Sequence, residues 1–151
     1  MNSPDAQLVM IVEDSDDDYE ATERALKKDG RLANPLIRFE NAEEALSYLF
    51  RRDSYAPLPS APRPGLILLD LNLPGSGGAA LLKAVKLDPD LAVIPIVVLT
   101  TSSDPADVER CYRAGANSYI TKPVNLDGFF NAIQELRRYW LEVAILPEPV
   151  S

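Results

Sequence analysis

Leu66-Ile67-Leu68-Leu69-Asp70 is an unbroken apolar run that stops on a carboxylate. Four apolar residues in a row, with no polar one between them, suit a strand covered on both faces. Ile94 to Leu99 repeats the pattern, and Leu8 to Val12 is a shorter version near the start. Leu36 to Phe39 carries Arg38 in its middle, as expected of a half-exposed edge strand. Ser118 to Thr121 is the last and most polar of the five.

Helical signals fall between these runs. Ser15 opens a first helix, with Asp18 three residues on as an imperfect capping box. Asn41 opens a second, in which Ala42, Ala45, Leu46, Leu49 and Phe50 recur at helical spacing. Arg51 to Pro64 holds four prolines and reads as a long loop. Leu81, Leu82 and Val85 mark a third helix, ended by Asp88-Pro89. A fourth runs from about Asp104 to Ala114 and stops at Gly115. Leu126, Phe129, Phe130, Ile133, Leu136, Trp140 and Val143 stripe a long final helix.

Strand and helix in alternation predict a doubly wound α/β fold, a five-stranded parallel sheet with helices on both faces and right-handed crossovers. The apolar strands one, three and four belong in the middle and the more polar second and fifth at the edges. That is the flavodoxin-like order 2-1-3-4-5. The 151 residues make one domain, with residues 1–7 as a loose arm and 147–151 as a tail.

Composition narrows the function. Nearly half the residues are apolar, enough for a proper core. There is neither a leading apolar stretch with a basic flank nor a run long enough to cross a bilayer, which points to the cytoplasm and away from membranes. A single cysteine, Cys111, builds no disulfide framework and is expected in the core. Fifteen Lys and Arg against twenty-three Asp and Glu leave a net charge of −8, which disfavours nucleic acid as a partner. With no histidine at all, His-based triads and His metal sites are excluded.

In doubly wound sheets ligands bind beyond the carboxyl ends of the strands, where the strand order reverses. Those ends carry Glu13 and Asp14 after strand one, Asp70 on strand three, Thr100 on strand four and Lys122 after strand five. Three crowded carboxylates repel unless a cation lies among them. Oxygen-only ligands suit a hard ion, Mg²⁺ for choice. Such a rim is suited to a phosphoryl group. The metal and Lys122 would neutralise charge on its oxygens, while Asp70, on the central strand at the crevice, would be the nucleophile. The first loop, Glu13-Asp14-Ser15-Asp16-Asp17-Asp18, has no glycine and would repel a nucleotide phosphate.

Ile11-Val12-Glu13-Asp14, Leu68-Leu69-Asp70-Leu71-Asn72-Leu73-Pro74 with Gly77-Gly78, Val97 to Thr101, Ala114-Gly115-Ala116 and Tyr119-Ile120-Thr121-Lys122-Pro123 together resemble the receiver domains of bacterial two-component response regulators. The resemblance covers roughly residues 7 to 140. It implies that Asp70 accepts a phosphoryl group from a sensor histidine kinase and that Glu13, Asp14 and Asp70 hold Mg²⁺ with the backbone carbonyl of Asn72. It implies that Thr100 and Lys122 bind the phosphoryl group and that Tyr119 is an aromatic switch. It also implies a cis Lys122–Pro123 bond. Glu13 departs mildly from the family pattern, since Asp is also common there.

A receiver of this kind is a phosphoacceptor signalling protein, not an enzyme beyond its own phosphorylation and dephosphorylation. With no output domain following it in this chain, the signal is expected to leave by protein–protein contact or a change of oligomer. The proline-rich loop and the Arg137 to Leu146 end resemble single-domain regulators that partner bacterial phytochrome histidine kinases. Tyr139, Leu141, Ile145 and Leu146 add apolar residues off the main helical stripe, which predicts a homodimer through the last helix with the fourth helix and fifth strand. The nearest enzymatic rival is a phosphatase of the haloacid dehalogenase type. It would place a second acid two residues after the nucleophile, where this chain has Asn72.

Overall fold

The computed structural model describes residues 6–30, 32–52, 55, 62–75 and 77–148. Five parallel strands run β1 (Val9–Val12), β2 (Leu36–Phe39), β3 (Leu66–Asp70), β4 (Ile96–Thr100) and β5 (Ser118–Thr121), in the order β2-β1-β3-β4-β5. Between and after them lie α1 (Asp16–Leu26), α2 (Ala42–Leu49), α3 (Gly77–Leu87), α4 (Pro105–Arg113) and α5 (Leu126–Arg137). In register, Val9 faces Leu36 on one side and Leu66 on the other, and Asp70 faces Leu99.

Every residue of β1, β3 and β4 is buried, whereas β2 is mostly half-buried and β5 half-buried to exposed. Successive side chains feed two cores. Met10, Val12, Ile67, Leu69, Ile96 and Val98 pack under α2, α3 and α4. Val9, Ile11, Leu66, Leu68, Val97 and Leu99 pack under α1 and α5. Each fully buried Leu or Ile in these layers contributes about 1.5–3 kcal/mol. The unbroken apolar runs therefore have a simple cause: both faces of the central strands are dry.

Helix starts follow their caps. Ser15, Asn41, Asp104 and Asn125 accept from Asp18 N, Glu44 N, Ala106 N and Gly128 N respectively. Gly115 closes α4 with φ +107°, where a Cβ would also meet Lys86. Gly78 has a different duty. A Cβ there would come within 2.8 Å of Leu71 O and 2.9 Å of Asp70 O, so α3 packs directly on the loop that leaves the rim.

Several expectations need correction. Gln7, assigned to a loose arm, is tied by Asn34 Nδ2 donating to its carbonyl at 2.8 Å, while residues 1–5 lie outside the described residues. The fourth strand begins at Ile96, not Ile94: Pro95 has no N–H to donate, and only its carbonyl reaches β3, accepting from Ile67 N at 3.0 Å. Most of the proline-rich loop lies outside the described residues. Within it Tyr55 packs edge-on against Tyr48, whose hydroxyl donates to Pro62 O at 2.5 Å. Among the described residues every peptide bond is trans, Lys122–Pro123 included. Trans is the default even before proline, and Lys122 N here donates to Thr100 O at 2.6 Å, extending the β5 ladder past its last residue.

The final helix departs most from its stripe. Phe129, Ile133 and Leu136 are buried as the spacing requires, but Leu126 and Val143 are exposed. From Arg138 to Val143 the helix widens to a π turn, with Ala144 N donating to Tyr139 O at 2.7 Å. One extra residue per turn breaks the 3.6 period. Leu141 and Leu146, expected off the core, therefore pack against it, whereas Tyr139, Val143 and Ile145 face outward.

Candidate phosphoryl and metal site

The carboxyl ends of β1, β3 and β4 bring the expected residues to one rim. Glu13 follows β1 directly and is pinned by its backbone, with N donating to Phe39 O at 2.9 Å and O accepting from Arg38 Nε at 3.1 Å. Its side chain is buried, as is that of Asp70 at the end of β3, whereas Asp14 is exposed. Carboxylate oxygens of Glu13, Asp14 and Asp70 all lie within 4.8 Å of one another.

Lys122 reaches into this group from beyond β5. Its buried ammonium donates to Glu13 Oε1 at 2.8 Å and to Asp18 Oδ2 at 3.1 Å, and stands 3.6 Å from Asp70 Oδ2. Asp70 Oδ1 accepts from Asn72 N at 3.0 Å, which fixes the carboxylate's other face. The Asn72 side chain is exposed and donates to Thr101 Oγ1 at 3.1 Å. Thr100 is fully buried, and its hydroxyl accepts from Ser102 N at 3.3 Å. Tyr119 is half-buried, with its hydroxyl donating to Ser102 O at 2.9 Å.

Burial pushes the Glu13 carboxyl up to about 7. The Lys122 hydrogen bond opposes that rise, and the nearby Asp70 adds to it. For Lys122 burial works the other way, toward a lower value. The hydrogen bond and charge of Glu13, with Asp70 and Asp18, outweigh it and hold the ammonium above its ordinary range. Three carboxylates with no His or thiolate among them, two of them buried, fit a hard divalent cation, which Glu13, Asp14 and Asp70 could hold together.

A pH dependence follows for the metal-free protein. Glu13 has its ordinary value of 4.5 in the unfolded chain and about 7 when folded. Between those values the folded state binds more protons, so stability falls as pH rises through that window. Lys122 titrates far above it and adds nothing to the slope. The urea midpoint in chelator is expected to rise as pH is lowered from about 8 to about 5.5, and Glu13→Gln should flatten that rise. An unchanged slope in Glu13→Gln would contradict this account of the burial.

Asp18, Thr101 and Ser102 are participants that sequence reasoning missed. As half of a capping box, Asp18 would turn its carboxylate back to Ser15 N. Instead Ser15 N is taken by Glu13 Oε2 at 3.2 Å, and the Asp18 carboxylate goes to Lys122. The available signal was its place one helical turn beyond the strand end, on the same rim.

Residues 9–134 match the family model described as the response regulator receiver domain. The chain belongs to this family. It is 38% identical to the response regulator Rcp1 of Synechocystis sp. over 141 residues, 93% of each chain. The fold superposes on the crystal structure of Mn²⁺-bound Rcp1 with a TM-score of 0.86, at 38% identity, over 93% of this chain and 99% of that one. It superposes on the phosphorylated cyanobacterial phytochrome response regulator RcpA with a TM-score of 0.85, at 36% identity, over 94% and 99%. The receiver domain is a signalling module, and its work is phosphorylation-dependent two-component signalling with a histidine kinase as partner. Its acidic cluster is of the kind that takes a divalent metal. No helix among the described residues is long and apolar enough to cross a membrane.

Proposed function

We propose that this receiver domain, spanning residues 1–151, is a cytoplasmic switch that accepts a phosphoryl group on Asp70 and signals by protein–protein contact. One observation carries the reading: Asp70 is buried at the crevice of the central strand, with an ammonium 3.6 Å from one oxygen and a backbone N–H on the other. A carboxylate so fixed presents one oxygen as a nucleophile and has a cation beside it for the incoming charge.

Glu13, Asp14 and Asp70 hold Mg²⁺ in this reading, with the Asn72 carbonyl as a further ligand. When bound, the ion supplies positive charge to the phosphoryl oxygens. Lys122 leaves Glu13 for the phosphoryl group, and the Thr100 hydroxyl donates to another of its oxygens. Thr100 and Tyr119 are joined through Ser102, whose N and O bond to each, so a shift of Thr100 moves the Tyr119 contact. The same site promotes the chain's own phosphorylation and its hydrolysis.

The donor is a sensor histidine kinase of the bacterial phytochrome class, a reading supported by the likeness to Rcp1 and RcpA. Label from a phosphorylated kinase of that class should pass to the chain within minutes and be alkali-labile, as an acyl phosphate is. Label that fails to transfer, or resists alkali, would contradict this.

The exposed apolar residues Tyr112 on α4 and Tyr139, Val143 and Ile145 beyond α5 support a homodimer through α5, with α4 and β5. Light scattering is expected to give twice the chain mass, and Tyr139→Asp with Ile145→Asp to return it to one. A monomer at high concentration, with and without beryllium fluoride, would end that assignment.

A further inference from the structure

The three carboxylates that face Lys122 are not equivalent. Glu13 and Asp70 belong to the cluster whose oxygens could share a cation, whereas Asp18 does not. A cation and a phosphoryl group therefore engage the first two and leave Asp18 as the one uncommitted carboxylate on the ammonium. Asp18 also stands on a fixed platform. Its N donates from the first turn of α1 to Ser15 Oγ, and its carbonyl accepts from the buried Thr22 hydroxyl at 2.8 Å. Its side chain, 48% exposed, lies at the mouth of a cleft of about 260 Å³ that Lys122, Thr101 and Pro123 also line.

We propose that Asp18 is a positioning residue that competes with the bound phosphoryl group for Lys122, and so sets how tightly that group is held. The inference rests on the assignment of Asp70 as phosphoacceptor. An ammonium has only three donors, and each one spent on Asp18 is lost to the phosphoryl oxygens. The stem of Lys122 is buried, so its reach does not depend on Asp18. Removing the carboxylate releases charge toward the phosphoryl group and leaves the lysine in place.

The test is the affinity of the full chain for beryllium fluoride at saturating Mg²⁺, read by calorimetry. Asp18→Asn is expected to tighten binding about threefold to tenfold, the range for a partly exposed charge-assisted pair. Asp18→Glu, which keeps the charge, should stay near the parent. Asp17→Asn removes the same charge from the neighbouring exposed position and controls for a general field effect. Lys122→Met keeps the stem and removes the ammonium, so in that background Asp18→Asn should change nothing. Equal gains from Asp17→Asn and Asp18→Asn, or a gain that survives in Lys122→Met, would overturn the proposal. A parent chain that binds no beryllium fluoride would instead overturn the assignment of Asp70, and the proposal with it.

Discussion

Asp70→Asn is expected to reduce phosphoryl uptake from acetyl phosphate or from a kinase to the background seen without donor. An amide nitrogen lacks the nucleophilic lone pair of a carboxylate oxygen, and the amide oxygen is much the weaker nucleophile. Loss of fold does not explain the effect. The amide oxygen can still accept from Asn72 N, as Asp70 Oδ1 does now, and one negative charge leaves a crowded acidic group. The urea midpoint should therefore correspond to a stability within about 1 kcal/mol of the parent, or above it. Retained labelling in a folded Asp70→Asn chain would move the acceptor elsewhere, and Asp14 would be examined next.

Lys122→Ala has the second large effect, of a different kind. Asp70 keeps its nucleophilic oxygen, so labelling persists, but the buried cation that would bind the phosphoryl oxygens is gone. The active form is expected to lose about 1–3 kcal/mol of its bias, the usual size of coupling between a site and a distant surface. Ring signals of Tyr119, followed by NMR among the six tyrosines, should then respond to beryllium fluoride in the parent and stay unmoved in the variant. A Lys122→Ala chain whose Tyr119 responds as the parent does would break the claim that this lysine carries the signal.

The fold was legible because its cause is local. Unbroken apolar strands, their polar edge partners and the cap residues Ser15, Asn41 and Asp104 each mark their element without reference to the rest of the chain. Glu13, Asp14, Asp70, Thr100 and Lys122 were legible for the same reason, since a strand end in this topology is also a place on the rim. What stayed hidden depends on contacts across the sequence. Asp18 looks like a cap until Lys122, 104 residues away, is placed beside it. The π turn at Arg138–Val143 leaves no mark on apolar spacing until the outward Val143 and inward Leu141 are compared. Arg137 carries no mark of burial in its own sequence, yet it is buried and donates to Leu26 O and Lys28 O, closing the end of α1 against α5.

Asp70 as a metal-assisted phosphoacceptor is tested most directly by intact-mass spectrometry of the chain after incubation with acetyl phosphate, with Mg²⁺ and with chelator. Mass is a better reporter than fluorescence here, because the only tryptophan, Trp140, lies edge-on to Tyr139 past the end of α5, away from the rim. The account predicts one phosphoryl adduct that forms with Mg²⁺ and is absent in chelator. An adduct that forms equally in chelator, or none under either condition, would contradict it.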